Sequence, residues 1–156
     1  MAQPRMLLIV FVAALAASRP ATPQGPSAQP APLLENVDLM DLMVKPAYDA
    51  LRQASAGQPP DRKAWAVLYQ QAARLAEVEN LLFFRTRAGD GRQQEWAARA
   101  ASARDASAAV AAAALLGLRG AQAADFDRVR AALPAVAETC TACHRAFARE
   151  APVIKP

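Results

Sequence analysis

The residues best suited to chemistry in this chain lie in one pentapeptide, Cys140-Thr141-Ala142-Cys143-His144, which holds both cysteines and the only histidine. On a helix, positions 140, 143 and 144 share one face, because residues three and four apart are neighbours there. Two thiols on that face can reach the two vinyl groups of a haem, and the imidazole then points at the iron from the same side. The pattern C-x-x-C-H is the attachment signature of c-type haem. It predicts one covalent haem c, attached through Cys140 and Cys143, with His144 as an iron ligand.

Three other chemistries use cysteines in similar arrangements. A thioredoxin-like dithiol also has C-x-x-C, but it needs a βαβ context that this sequence lacks. A zinc site needs four ligands, or three and a water, and the chain has no further Cys or His. A disulfide between Cys140 and Cys143 is compatible with an exported protein but does not require the histidine. Haem attachment is therefore the preferred interpretation.

The first 32 residues predict export of the chain. Residues 1–17 have a short basic start, an apolar run of about twelve residues and a small-residue exit, as a secretory signal peptide does. The run is too short for a bilayer span, which takes about 20 residues, and the segment has no cysteine for a lipoprotein anchor. Residues 18–32 are rich in Pro, Ala, Ser and Gln and predict a flexible leader. We expect a periplasmic protein with no stable membrane span after removal of the signal.

Residues 33–156 form the predicted folded domain. The spacing of apolar residues predicts four amphipathic helices, over about 34–55, 61–85, 93–116 and 125–152. The larger apolar positions are Leu33, Val37, Met40, Val44, Ala47 and Leu51 in the first helix, Trp65, Leu68, Ala72, Leu75, Val78 and Leu82 in the second, Trp96, Val110, Leu115 and Leu116 in the third, and Val129, Leu133, Val136, Cys140 and Phe147 in the fourth.

The boundaries of these helices follow from residues with special backbone roles. The expected N-caps are Asp61 and Asp125, the expected helix stops are Gly117 and Gly120, and the expected irregularities lie at Pro46 and Pro134. Four helices with short connections predict an all-α fold, an antiparallel up-down-up-down four-helix bundle. No segment alternates with period two, so nothing in the sequence favours a sheet.

Composition narrows the functional classes. The net charge is +4, but basic and acidic residues are interspersed and no run of five Lys or Arg occurs, so nucleic acid is not a predicted partner. No paired carboxylates, nucleophile elbow or phosphate loop appears, and we expect no enzyme activity. Hydrophobic residues make up 54% of the chain and aromatics only 6%. An alanine-rich bundle with few large side chains leaves room for a haem in its core.

The chain resembles the class II cytochromes c, the cytochrome c prime family and its low-spin relatives. The resemblance covers Leu33 to about Glu150 and rests on Leu39-Met40 followed by Pro46-Ala47-Tyr48-Asp49, on Ala64-Trp65 with Leu75-Ala76, and on Cys140-Thr141-Ala142-Cys143-His144-Arg145-Ala146-Phe147. It implies that a methionine of the first helix ligates the iron in six-coordinate members, whereas an apolar residue blocks that side in five-coordinate members.

Only Met40 and Met43 remain as methionines once the signal peptide is removed, and both lie on the first helix. Met40 falls on the apolar stripe and has the family-like spacing from Pro46, so it is the predicted second ligand, with Met43 as the alternative. A thioether ligand stabilises ferrous iron and raises the reduction potential, which suits an electron carrier.

The sequence thus predicts a monohaem cytochrome that carries single electrons between redox partner proteins. The alternative is a five-coordinate member that binds NO or CO, and a third hypothesis is a haem-free helical interaction module. Members of the family often pair through their first two helices, so a homodimer is also an expected partner form. Arg74, Arg85 and Arg87 are candidate partners of the haem propionates, and Trp65, Trp96 and Phe147 are expected to pack in the core.

Overall fold

The computed structural model describes residues 31–85, 91–120 and 123–155. The predicted signal peptide over 1–17 lies outside these residues, as does the predicted leader over 18–32 except for its last two positions. Helix α1 spans 36–54 and consists of an α-helical turn Asn36–Leu39, a π-helical segment Met40–Val44 and an α-helix Lys45–Ala54. Helix α2 is Arg62–Asn80 and continues into a 3₁₀ turn Leu81–Phe84. Helix α3 is Gln93–Gly120, and helix α4 is Ala123–Phe147.

These helices confirm the predicted all-α four-helix bundle, with no strand among the described residues. Helix α1 packs on α2, α2 on α3, and α3 on α4. No Cα atom of α1 lies within 8 Å of one in α4 over the described parts of the two helices. The bundle is therefore closely packed across three of its neighbouring pairs and open between its first and last helices.

Helix α1 contains a local irregularity where the sequence predicts one. Pro46 has no N–H, and its ring would clash with the carbonyl of Leu42 four residues earlier in a regular α-helix. The wider π-helical segment Met40–Val44 directly precedes the α-helix that holds this proline, and a π-bulge of this kind absorbs one extra residue without ending the helix.

The same irregularity makes part of the predicted buried stripe of α1 wrong. Ala47 and Leu51 are fully buried as expected, whereas Val37 is 69% exposed, and Leu33, which precedes the helix, is 96% exposed. Leu39, which lies off the predicted stripe, is completely buried. The extra residue of the π-helical segment shifts the face that points at the core by one position, so residues before Val44 do not continue the register that follows it.

Helix α2 follows its prediction closely. The Asp61 carboxylate accepts a hydrogen bond of 2.7 Å from the Ala64 N–H, as an N-cap residue does. All six of its predicted apolar positions are buried, namely Trp65, Leu68, Ala72, Leu75, Val78 and Leu82. This helix supplies the largest fully buried side chain of the core, Trp65.

Helix α3 is longer than predicted, because Gly117 does not end it. The helix continues to Gly120, and Gly117 is buried against the indole ring of Trp65 on α2. Among the described residues, α3 is the one helix whose length and apolar composition would allow a membrane crossing, a test that core helices of soluble proteins also pass. Here it packs between α2 and α4.

Helix α4 differs from its prediction at both ends. It begins at Ala123, so Asp125 is not its N-cap but lies in its first turn, where its buried carboxylate pairs with Arg128 at 2.6 Å. The helix includes Pro134 and ends at Phe147, several residues before Pro152. The Ala148 N–H still donates to the His144 carbonyl at 2.7 Å, as in a helix, and the chain turns over residues 149–151.

Candidate haem site

The C-x-x-C-H pentapeptide lies in the last turns of α4. Cys140, Cys143 and His144 are all partly buried, and the two cysteines are free thiols that form no disulfide with each other. Within the described residues no group of three or more His, Cys, Asp or Glu is arranged to hold a metal ion. The helical context of these cysteines contains no βαβ unit in the described part of the chain.

A cavity of about 680 Å³ opens where α1 and α4 stand apart, and we call it the α1–α4 cavity. Its volume falls within the range of about 300–1,000 Å³ typical of small-molecule and cofactor sites. Cys140, Cys143, His144 and Met40 all line it, whereas Met43 does not. Its apolar wall is formed chiefly by Val37, Val44, Leu82, Trp96, Ala103 and Phe147. The structure therefore brings both predicted thiols, the histidine and one methionine to a single space.

The thiols of the motif are held in their neutral form. Burial raises the pKa of the Cys140 thiol to about 12, with the Glu79 and Cys143 side chains adding to the effect. Burial also raises the pKa of Cys143, against a lowering by Arg99. A catalytic dithiol needs a lowered thiol pKa, because the thiolate is the reactive form. These two cysteines are thus unlike those of a thiol oxidoreductase.

The imidazole of His144 is oriented by a backbone carbonyl. Its Nδ1 lies 3.2 Å from the carbonyl oxygen of Pro152, which can only accept a hydrogen bond. Nδ1 therefore carries the proton and the lone pair of Nε2 is left for a metal. Histidines that ligate metals commonly donate their other ring N–H in this way.

A buried carboxyl group also lines the α1–α4 cavity. Glu79 is 1% exposed, and neither of its carboxylate oxygens has a hydrogen-bond partner among the described residues. Burial raises the pKa of this carboxyl to about 7, and the nearby Ser107 hydroxyl lowers it in part. Nothing in the sequence pattern singled this residue out.

The basic residues at the cavity differ from those expected from the sequence. Arg85 is buried away from the cavity and donates to the Leu34 carbonyl, Arg74 is exposed outside it, and Arg87 lies outside the described residues. The cations that line the cavity are instead Lys45, Arg52, Arg99 and Lys155. Lys45 and Arg52 are seven residues apart on α1, a spacing that places both on one face of the helix. This spacing is the sequence signal that would have identified them as residues of one site.

The three aromatic residues expected in the core divide into two groups. Trp65 packs edge-on against Phe126, with ring centroids 6.3 Å apart, and does not line the cavity. Trp96 and Phe147 do line it and pack edge-on against each other at 5.0 Å. The Trp96 indole N–H donates to the Leu82 carbonyl at 2.7 Å. This bond satisfies the polar atom of a buried ring and fixes the cavity wall.

A helical bundle whose last helix bears C-x-x-C-H beside such a cavity defines the chain as a four-helix monohaem cytochrome of the c type. The family model described as Cytochrome C' matches residues 35–148, most of the chain. The chain belongs to this cytochrome c′ family, whose members bind covalently attached haem c with its iron. No curated protein and no solved structure gives a significant match.

Family membership indicates which functions are to be considered for this chain. Members are electron carriers or gas-binding haem proteins, are generally not enzymes, and are typically periplasmic. The residues of the α1–α4 cavity fit this cofactor in number and in chemistry: two thiols and an imidazole on one helix face, a largely apolar wall, and cations along the lining.

Proposed function

We propose that this protein is a periplasmic one-electron carrier whose iron is held between His144 and Met40. The observation that carries the proposal is the presence of Met40 in the α1–α4 cavity together with Cys140, Cys143 and His144, while Met43 is absent from its lining. Met40 is the first residue of the π-helical segment of α1, on the side of the cavity formed by that helix.

Each residue would contribute a distinct part of the site. Cys140 and Cys143 would hold the haem through two thioether bonds, and His144 would present Nε2 to the iron. Haem supplies the chemistry, a reversible exchange of one electron as iron changes between ferrous and ferric. The thioether of Met40 would favour the ferrous state, and the apolar wall would keep water from the iron. Arg52 and Lys155 are the lining cations that have no ion pair among the described residues and would be available to the propionates, whereas Lys45 pairs with Asp49 and Arg99 with Glu95.

The second candidate is a five-coordinate cytochrome that binds NO or CO at the side facing α1. The family match supports this candidate better than the first, because the matching family is described as Cytochrome C'. In that case Met40 would only pack against the haem. A methionine on an apolar wall commonly serves as adaptable packing, so the two candidates differ in a single bond.

The absorption spectrum of the purified holoprotein separates them. A low-spin ferric spectrum with the weak far-red band of a methionine–iron bond is expected for the carrier. A high-spin ferric spectrum, with a ferrous form that shifts on adding CO, would overturn the carrier proposal and support the second candidate. A purified chain without a Soret band would contradict both and leave a haem-free module.

We also propose that export depends on residues 1–17. The family is typically periplasmic, and the apolar run with its small-residue exit is the feature that would direct this chain there. N-terminal sequencing of the protein from a periplasmic extract should give a mature chain beginning near Ser18. An uncleaved chain in the membrane fraction would contradict this. Redox partner proteins would then be periplasmic or membrane-bound donors and acceptors.

A further inference from the structure

The five residues 151–155, which follow α4 and its closing turn, lie across the α1–α4 cavity, and we call them the C-terminal strap. All five line the cavity. The turn before them is closed by a 2.8 Å hydrogen bond from the Ala151 N–H to the Ala148 carbonyl. This turn directs the chain back toward α1 instead of away from the bundle. The strap therefore occupies the gap that the first and last helices leave between them.

Side chains from both helices bind the strap. The Tyr48 hydroxyl on α1 donates to the Lys155 carbonyl at 2.6 Å, across 107 residues of sequence. The buried Thr141 hydroxyl on α4 accepts from the Ile154 N–H at 3.1 Å and donates to the Ile154 carbonyl at 3.4 Å. Ile154 itself packs against the hydrophobic core. A segment held by two helices and by the core has a defined position and is not a free chain end.

This fixed position brings a carbonyl to the histidine of the haem motif. The Pro152 carbonyl lies between the closing turn and the two anchored residues, 3.2 Å from Nδ1 of His144. A carbonyl that accepts from Nδ1 restrains rotation of the ring, selects the tautomer with Nε2 open, and makes the ring a stronger electron donor. A stronger donor stabilises ferric iron more than ferrous iron.

We propose that the C-terminal strap is a positioning element of the haem site, which sets the orientation and donor strength of His144 through the Pro152 carbonyl. The proposal rests on His144 as the axial ligand, which both candidate functions share, and it does not depend on Met40. Tyr48 and Thr141 act through the strap: their hydroxyls hold it in place, and the strap holds the imidazole.

Two conservative substitutions test the proposal in the holoprotein. Tyr48→Phe and Thr141→Val each remove a hydroxyl while keeping the size of the side chain, and each should shift the midpoint potential to more positive values. Each should also speed exchange of the His144 Nδ1 proton with solvent, measured by NMR. Matched controls are Tyr69→Phe on α2 and Thr139→Val, whose hydroxyl donates to the Val136 carbonyl of its own helix. Both controls should keep the wild-type potential.

A truncation that ends the chain after Glu150 removes the carbonyl itself and should give the largest positive shift. An unchanged potential and an unchanged Nδ1 exchange rate in this truncated holoprotein would overturn the proposal, as would a shift to more negative potential. If the truncated chain does not accumulate, the midpoint potentials and Nδ1 exchange rates of Tyr48→Phe and Thr141→Val test the proposal by the same criteria. The wild-type spectrum reports separately on the proposed function, because the state of the sixth ligand is read there without any change to the strap.

Discussion

The indole ring of Trp65 occupies the space into which a side chain at Gly117 would extend. A Cβ atom at position 117 would lie 2.1 Å from Cζ3 of that ring and within 2.4 Å of two further ring atoms. Trp65 is 1% exposed and cannot move aside into solvent. The absence of a side chain at Gly117, in the last turn of α3, therefore allows α2 and α3 to approach closely, and this contact buries the largest side chain of the core.

Gly117→Ala is expected to destabilise the protein by about 1–3 kcal/mol, the usual cost of overpacking a core. Alanine favours a helix over glycine by up to about 1 kcal/mol, but the clash with Trp65 outweighs this gain. Chemical denaturation followed by circular dichroism measures the change. Gly57→Ala is the control, because nothing lies within 4 Å of a Cβ there. Equal stability of the two variants would show that the ring can move.

Met40→Leu should convert a low-spin ferric spectrum to a high-spin one, because leucine keeps an apolar volume at the cavity wall but cannot ligate iron. Met43→Leu, three residues away and outside the cavity lining, should leave the spectrum unchanged. Absorption spectra of the two oxidised holoproteins make the comparison. The reverse result would identify Met43 as the ligand, and no effect from either substitution would contradict ligation by methionine.

Cys140→Ser and Cys143→Ser should each leave a haem held by one covalent bond, and the double variant should leave none. Thioether bonds survive denaturation and thiol reductants, whereas a disulfide between the two cysteines would be cleaved by the reductant. Haem staining of denaturing gels, together with intact mass, measures the attachment. Retention of covalent haem in the double variant would refute attachment through these residues.

We expect the free energy of unfolding of the wild type to decrease as pH rises, because Glu79 then loses its proton. Glu79→Gln should remove this decrease. Burial raises the pKa of Glu79 from 4.5 to about 7 in the folded chain, so the folded state holds a proton that the unfolded state has released. Stability from this group is complete below pH 4.5 and falls as pH rises toward 7, at about 1.4 kcal/mol per pH unit and about 3 kcal/mol in total.

Denaturant unfolding of the holoprotein at pH 5 and pH 8 measures this difference. The wild type should lose stability between the two values, and the Glu79→Gln protein should lose less. Glu138→Gln is the matched control, since Glu138 is exposed on α4, and it should retain the wild-type pH dependence. A wild type whose stability does not change over this range would contradict a neutral Glu79.

The parts of the fold that follow local rules were predictable from the sequence. The apolar period of α2 and its Asp61 cap need only a regular helix, and both are confirmed. Gly117 was wrongly expected to end α3, because its role is set by contact with a distant ring, and such contacts override helix propensity. Asp125 likewise pairs with Arg128 and does not begin the helix.

The candidate haem site likewise has one part that the sequence predicts and another that depends on contacts between distant residues. The pentapeptide ending in His144 is a local pattern, and its placement beside a cavity follows from the helix that carries it. Two cations of the cavity, Arg52 and Arg99, come from different helices, and no short spacing joins them. The bond from Tyr48 to Lys155 spans 107 residues, so no sequence window contains both partners.

Because α1 contains a π-helical segment, the number of residues in the helix, as well as their types, determines which residue faces the cavity. With one extra residue accommodated between Met40 and Val44, Leu39 lies in the core and Met40 lies in the cavity lining. Loss of a single codon within this segment would leave a regular helix there, with the turn before it kept on its present face. Within this fold, the number of residues in the segment therefore helps to decide which side chains of α1 line the cavity, without any substitution of the residues concerned.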